Sequence, residues 1–248
     1  MSSAAVLLSV RSLGVRYTRR HGPPFDALRE VSFDLVRSEF LALVGASGSG
    51  KSSLARAVAG LTPCSGTVRL SAGSGARAIQ LVFQDAGASL NPRRRIGAVL
   101  EEVLAPAPHP RPSALELLER VGLGREQLSA APHELSGGQR QRAAIARALA
   151  AQPSVLVCDE ILSALDTSVQ AQILALLGEL RRERGLGVLF VTHDLAVARR
   201  CADRVGVLHA GELVELGPPA QVFDAPTSEH TRKLWSARLR WPAPHTRP

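Results

Sequence analysis

Three short runs in this chain are apolar at every position: Phe40-Leu41-Ala42-Leu43-Val44, Val155-Leu156-Val157-Cys158 and Val188-Leu189-Phe190-Val191. An unbroken apolar run of this length predicts a strand buried on both faces. A loop with chemistry-capable residues follows each run, where ligands sit in open α/β sheets, outside the carboxyl ends of the strands. The stretch Val31-Ser32-Phe33-Asp34-Leu35-Val36 alternates apolar and polar residues for most of its length, so it predicts a half-buried strand. Residues 5–44 as a whole read as strands broken by turns. In residues 167–182, Val169, Ile173, Leu176, Leu177 and Leu180 recur mostly at three- and four-residue steps, which predicts a helix with one face on the sheet. Residues 95–150 hold no convincing strand. They read as helices punctuated by Ala105-Pro106-Ala107-Pro108-His109-Pro110, an inserted helical subdomain expected at about 92–150. The tail from about 225 carries Pro226, Pro242, Pro244 and Pro248 among scattered arginines, and its end, 241–248, is expected to be flexible.

Composition changes this picture little. A length of 248 residues suits one α/β unit, expected over 1–240, with an inserted or appended subdomain. Hydrophobic residues make up 45% and charged residues 21%, ordinary for a chain that buries a sizeable core. No run of about 18 apolar residues predicts a membrane span. The start, Met1 to Leu8, lacks a basic n-region and has too short an apolar stretch for a secretory signal, so a cytosolic chain is expected. Cys64, Cys158 and Cys201 are far apart and show no CxxC spacing, which argues against a disulfide framework or zinc site and for reduced, mostly buried thiols. The charge of +8 is nearly all arginine, with lysine only at Lys51 and Lys233. Such a bias often follows a GC-rich genome, and solvated arginine faces are its plain reading. A basic surface also favours anionic lipid or nucleotide phosphates.

The loop after the first apolar run says more. Gly45-Ala46-Ser47-Gly48-Ser49-Gly50-Lys51-Ser52 fits the phosphate-binding pattern GxxxxGK[ST] at every fixed position, between a buried strand and a helix-forming run. Glycines let the backbone N–H groups converge on phosphates, and the helix N-terminus adds partial positive charge. Lys51 supplies a full charge for β- and γ-phosphates, and the Ser52 hydroxyl can ligate Mg²⁺. A glycine-rich turn with a stray lysine would not explain strand, loop and helix together. Asp159-Glu160 follows the second apolar run. A carboxylate at that strand tip can hold the magnesium shell, and Glu160 could polarise an attacking water, a role worth about 10²- to 10⁴-fold in rate. Alone, such a pair is more often a solvated turn or a helix cap.

Phosphate loops occur in kinases, GTPases and many ATPases; Leu135-Ser136-Gly137-Gly138-Gln139 narrows the field. This block closely resembles the LSGGQ signature of the ABC ATPase family. It also opens a helix running from Gln139 to about Leu149, with Ser136 placed as a cap and two glycines leaving N–H groups exposed. The resemblance covers roughly residues 6–235. It implies a P-loop NTPase (RecA-like) α/β core with an antiparallel β subdomain and an inserted α-helical subdomain. It implies ATP and Mg²⁺ as cofactors. Tyr17 matches the aromatic that stacks on adenine, Gln84 the glutamine that touches the magnesium or water and senses a membrane partner, and His193 the switch histidine. Asp166, in Ser163-Ala164-Leu165-Asp166, matches the D-loop, and Ser53 is assigned to the nucleotide with the loop before it. Magnesium falls to Ser52, Gln84 and Asp159, and catalysis to Glu160, His193 and Gln84. In this family two cassettes pack head to tail, so the signature residues Ser136, Gly137, Gly138 and Gln139 would serve the partner's ATP, and Asp166 is assigned to nucleotide binding with them.

The segment Phe83 to Arg93 and the run Gly217-Pro218-Pro219 through Leu234 resemble the importer branch handling oligopeptides, dipeptides or nickel. The implied partners are permease subunits, a second ABC ATPase and, indirectly, an extracytoplasmic solute-binding protein, with no nucleic acid. The implied place is the cytoplasmic face of the inner membrane, as a peripheral protein. Ser228-Glu229-His230 departs from the branch's usual His-Pro-Tyr, and Ile161-Leu162 replaces the usual small or proline residues after the acid pair. An exporter ATPase, or a non-transport ABC protein acting on nucleic acid, would share the core motifs. The run Arg93-Arg94-Arg95 reads either as a contact for a permease or lipid headgroups or as a solvated turn.

Overall fold

The three fully apolar runs lie side by side in one sheet of the computed structural model, which describes residues 5–18, 22–71, 77–106, 111–163 and 165–239. In chain order, strands β1 (Val6–Tyr17), β2 (Phe25–Val36) and β3 (Phe40–Val44) lead into helix α1 (Lys51–Val58). Strands β4 (Ser65–Leu70) and β5 (Ile79–Val82) precede three helices, α2 (Ile96–Leu104), α3 (Ala114–Arg120) and α4 (Gly137–Ala150). Then come β6 (Val155–Asp159), α5 (Thr167–Arg184), β7 (Gly187–Val191) and α6 (Leu195–Cys201). The hairpin β8 (Arg204–His209) and β9 (Glu212–Gly217) is followed by α7 (Pro219–Asp224) and α8 (Glu229–Leu239). The main sheet has the order β5-β6-β7-β3-β8-β9, with β9 antiparallel to β8 and the other pairs parallel. A second, antiparallel sheet has the order β2-β1-β4.

Strand period explains why β3, β6 and β7 need no polar residue inside. Successive side chains point to opposite faces, and both faces are covered. Phe40, Ala42, Val44, Leu156, Cys158, Val188 and Phe190 enter one core with the helices α2 to α6. Leu41, Leu43, Val155, Val157, Leu189 and Val191 enter another with α1 and the antiparallel sheet. Burying one leucine such as Leu43 contributes about 1.5–3 kcal/mol.

Between β5 and β6 the described chain is helical, as its sequence suggests. Ser113 starts α3 with a capping box to Glu116, and α4 presents five buried alanines, Ala143, Ala144, Ala146, Ala148 and Ala150. Alanine favours helix and lets elements approach closely. Asp166 and Asp194 cap α5 and α6 through backbone N–H groups of the first turn, and Gly185, at φ 69°, ends α5 in the left-handed conformation. On α5, Ile173, Leu176, Leu177 and Leu180 are buried, while Val169 is only partly covered.

One expectation needs correction, and one helix was not foreseen. The thiols are not mostly buried: Cys158 is, Cys201 is intermediate, and Cys64 is exposed in the turn between α1 and β4. The region after 225 is not merely a proline-marked tail, because it forms α8. Trp235 is 8% exposed, stacks on Phe223 at 4.8 Å and donates its indole N–H to the Val222 carbonyl at 2.8 Å. Residues 241–248, with their expected flexibility, and residues 107–110 of the proline-rich stretch lie outside the described residues.

Glu215 anchors the start of α8. Its buried carboxylate accepts from Thr227 N at 2.9 Å, Thr227 Oγ1 at 3.1 Å and Ser228 N at 3.3 Å. Desolvation pushes this carboxyl up, but the hydrogen bonds outweigh it and hold it below the ordinary glutamate value. A group lowered on folding contributes stability that is present above its unfolded pKa and is lost as pH falls through the folded one. Glu215→Ala is therefore expected to cost about 2 kcal/mol near neutral pH, lowering Tm by about 4–8 °C. In thermal melts the gap from the parent should shrink in acid; an unchanged neutral Tm would remove the anchor.

Candidate functional site

The phosphate-type loop leaves the tip of β3, and its shape is set by backbone packed on backbone. Gly50 has φ 106°, and a Cβ there would lie 2.4 Å from the Ala27 carbonyl oxygen of β2. A Cβ at Gly45 would lie 2.3 Å from the Leu208 carbonyl oxygen of β8. Real side chains do not fit at such distances, so both positions require glycine. The Gly211 N–H donates to Ser49 O at 3.0 Å, tying the loop to the β8–β9 turn. Lys51 is 6% exposed, and its Nζ donates to the carbonyls of Gly45 at 3.0 Å and Ala46 at 2.9 Å. Its charge is thus held inside the curve of the loop.

The two neighbouring strand tips supply the other groups. In the β6–β7 register Asp159 pairs with Val191, so Glu160 and His193 leave adjacent strands side by side. His193 Nδ1 lies 3.2 Å from Glu160 Oε2. Glu160 holds φ 53°, rare for a residue with a side chain and costing about 1–3 kcal/mol. The bend is held by Glu160 N donating to Val191 O at 3.0 Å and by the Ser163 hydroxyl donating to Glu160 O at 3.0 Å. Asp159 is buried and accepts from the Ser52 hydroxyl at 3.0 Å. Burial raises its pKa, the Ser52 hydrogen bond opposes this, and the Glu160 charge raises it again.

These groups border a cleft of about 1000 Å³ lined by Tyr17, Gly45, Ala46, Ser47, Gly48, Gly50, Lys51, Ser52, Ser53, Gln84, Glu160 and His193. Asp159 reaches it through Ser52, and Ser49 lies buried behind the loop. Ser136, Gly137, Gly138, Gln139 and Asp166 are not among the lining residues. Ser136 Oγ accepts from Gln139 N at 3.2 Å while Gln139 Oε1 accepts from Ser136 N at 2.9 Å, a closed cap at the start of α4. Nothing lies within 4 Å of a Cβ position at Gly137, so this helix end is open to approach. Asp166 is occupied as the cap of α5, and Ala164 lies outside the described residues.

Sequence reasoning missed several lining residues. Phe25 lies 5.6 Å from Tyr17 between ring centroids, adding a second aromatic to the cleft. Leu234 reaches it from α8. Gln141, two residues after the signature block and not itself a lining residue, is buried and donates to the Phe83 carbonyl at 3.2 Å, next to Gln84. An exposed aromatic after two prolines was a usable signal for Phe25; no local pattern marks Leu234.

Ser52 and Asp159 present hard oxygen donors with a single carboxylate, and Gln84 can add its carbonyl. No group of three or more His, Cys, Asp or Glu side chains placed to hold a metal occurs among the described residues. That set fits Mg²⁺, which keeps waters and takes remaining oxygens from substrate phosphates.

A profile of the family described as ABC transporter matches residues 28–163. The chain belongs to the ABC transporter family. This cassette is 44% identical to the glutathione import ATP-binding protein GsiA of Pectobacterium atrosepticum, over 94% of its length and 41% of GsiA. It is 43% identical to the peptidoglycan transport ATP-binding protein YejF of Agrobacterium fabrum, over 97% of its length and 48% of YejF. The chain thus spans less than half the length of either relative. The cassette MJ0796, in a dimeric post-hydrolysis state bound to ADP and Pi, matches with TM-score 0.74 and 30% identity, over 86% of this chain and 99% of that one. The family's P-loop fold with its helical insertion agrees with the architecture described above. Among the described residues, no helix is long and apolar enough to cross a membrane.

Proposed function

We propose that this ABC cassette binds and hydrolyses ATP to drive import of a small peptide-like solute through a partner permease. The observation that carries the reading is the meeting of the Lys51 loop, the Ser52–Asp159 pair and the Glu160–His193 pair around one cleft. Tyr17, with Phe25 beside it, offers a face for the adenine, and base–aromatic stacking is worth about 1–3 kcal/mol. Backbone N–H groups from Gly45 to Gly50 and the start of α1, including Ser52 and Ser53, bind the phosphates, and Lys51 neutralises the β- and γ-groups. Ser52, Asp159 and Gln84 would hold Mg²⁺, which supplies charge neutralisation on the phosphate oxygens when bound. Glu160 accepts a proton from the water that attacks the γ-phosphorus, with ADP as leaving group, and His193 holds the Glu160 carboxylate in place.

One loop leaves the far side of a γ-phosphate open. The uncovered signature helix of a second cassette suits that place, through Ser136, Gly137, Gly138 and Gln139, with Asp166 nearby. The second cassette could be identical or different, since this chain carries both halves. We place the helical arm at about 92–150 within a unit of 1–240. Gln141 on the Phe83 carbonyl gives the signature helix a direct hold on the Gln84 loop. The permease meets this arm at the cytoplasmic face of the inner membrane, where the cassette is peripheral, and a solute-binding protein delivers the cargo outside. The names of the GsiA and YejF proteins favour peptide-like cargo; nickel, which the resemblance left open, has no counterpart in them. Nucleic acid has no place in this reading.

Glu160→Gln should retain ATP binding, lose turnover by about 10²-fold or more, and accumulate as an ATP-bound dimer in size-exclusion runs. Near-parental turnover would remove Glu160 from the proton-accepting role. Ser136→Arg should abolish turnover while single-chain nucleotide affinity, read by fluorescent-ATP titration, stays within about twofold, because the residue serves the partner's ATP; lost affinity would contradict the trans arrangement. Purification of the tagged protein from host membranes tests the import reading. Recovery of two multi-span permeases, a second cassette and a binding protein is expected, whereas ribosomes or nucleic acid alone would overturn it.

A further inference from the structure

At the opposite end of the main sheet's strands from the nucleotide cleft, four arginines surround a second cavity. It has a volume of about 600 Å³ and is bordered by Arg37, Arg111, Arg120 and Arg184, with Glu116 as its carboxylate. Its floor is formed by residues just ahead of β6 and β7, whereas the P-loop leaves the far end of β3. Strands of five residues at about 3.3 Å per residue set the two sites some 15 Å apart or more.

The charge here is only partly offset: Glu116 lies within electrostatic reach of Arg120 and Glu183 of Arg184, but neither forms an ion pair with them. Among the described residues, none of the four arginines has a carboxylate oxygen within 4.0 Å of its guanidinium. Glu116 is turned into the cap of α3, accepting from Ser113 N at 2.6 Å and Ser113 Oγ at 2.9 Å. Nη1 of Arg111 is buried with no hydrogen-bond partner among the described residues. Arg37 lies against Gly185 and donates to the Arg184 carbonyl at 3.3 Å, which holds its guanidinium at the rim. Burial, then the nearby charge of Arg120, lowers the pKa of Arg184, against a smaller opposing effect of Glu183. Four like charges in a half-enclosed space, one with a buried unmade hydrogen bond, are a cost in the isolated fold. A multiply charged anion would turn each of these costs into charge-assisted hydrogen bonds.

We propose that this cavity is a binding site for a small soluble anion carrying two or more linked phosphoryl groups. Four guanidiniums and one glutamate leave a net charge of three, which matches a pyrophosphate-like group better than a single carboxylate or monophosphate. Guanidinium forks take two oxygens each, so linked phosphoryl groups can satisfy several at once. The volume lies within the usual range for small-ligand sites, about 300–1000 Å³. The walls come from α3 and the end of α4 on one side and from α5, β1 and the segments leading into β6 and β7 on the other. An anion bound there joins the helical insertion to the core and restrains one against the other.

The test is hydrogen–deuterium exchange on the full chain titrated with pyrophosphate. Protection is expected at 111–120 and 180–187, besides any at the loop 45–52, where pyrophosphate also fits. In Arg120→Ala/Arg184→Ala the protection at 111–120 and 180–187 should require about tenfold or more higher pyrophosphate for each guanidinium removed, while that at 45–52 is unchanged. Protection confined to 45–52, or protection at the second cavity that is indifferent to the double variant, would sink the proposal. Should the double variant show a perturbed exchange pattern without anion, Arg111→Gln carries the same comparison. Citrate serves as a tricarboxylate control, and tighter binding of citrate than of pyrophosphate would overturn the phosphoryl assignment.

Discussion

The polar chemistry of this protein depends on five-residue strands buried on both faces. β3, β6 and β7 have no solvent face on which to carry a functional group. Their only polar outlet is the tip, and the parallel arrangement brings three tips to one edge. The Lys51 loop, Asp159 with Glu160, and His193 are therefore neighbours although they lie far apart in sequence. The register Asp159–Val191 converts that general rule into a specific meeting of a carboxylate and an imidazole. If the strands were covered on one face only, the same side chains would be spread over a surface.

Two backbone features refine what the strands begin. Glycine at 45 and 50 lets the loop press against carbonyls of β2 and β8, so the loop is braced by both sheets. The left-handed turn at Glu160 directs its side chain out of the strand line toward His193. A turn strained in this way persists because hydrogen bonds to Val191 and Ser163 over-determine it. Asp159 remains behind, buried and bonded to Ser52.

Much of this was legible beforehand, for a physical reason. Buried strands and phosphate loops depend on contiguous residues, so runs such as Phe40–Val44 and Gly45–Ser52 display them directly. The cap at Ser136 and the helix of α5 were equally local. What escaped detection depended on distant segments. Phe25 and Leu234 reach the cleft only because β2 and α8 are carried there by packing. The helix α8 itself was hidden, since its stability comes from Glu215 and Trp235 across the fold rather than from its own weakly amphipathic sequence. Cys64 was misjudged because cysteine's tendency to be buried says nothing about a turn at the end of α1.

The central sheet is also a wall one side chain thick. Leu41 and Leu43 face the antiparallel side, while Phe40, Ala42 and Val44 face the helical side. Neighbours in the chain thus belong to different compartments, and neither compartment can repack without distorting the backbone they share. Close-packed interiors have little slack. Helices on the far side of such a diaphragm can tilt or slide over it as solid pieces, but they cannot pass a deformation softly through it.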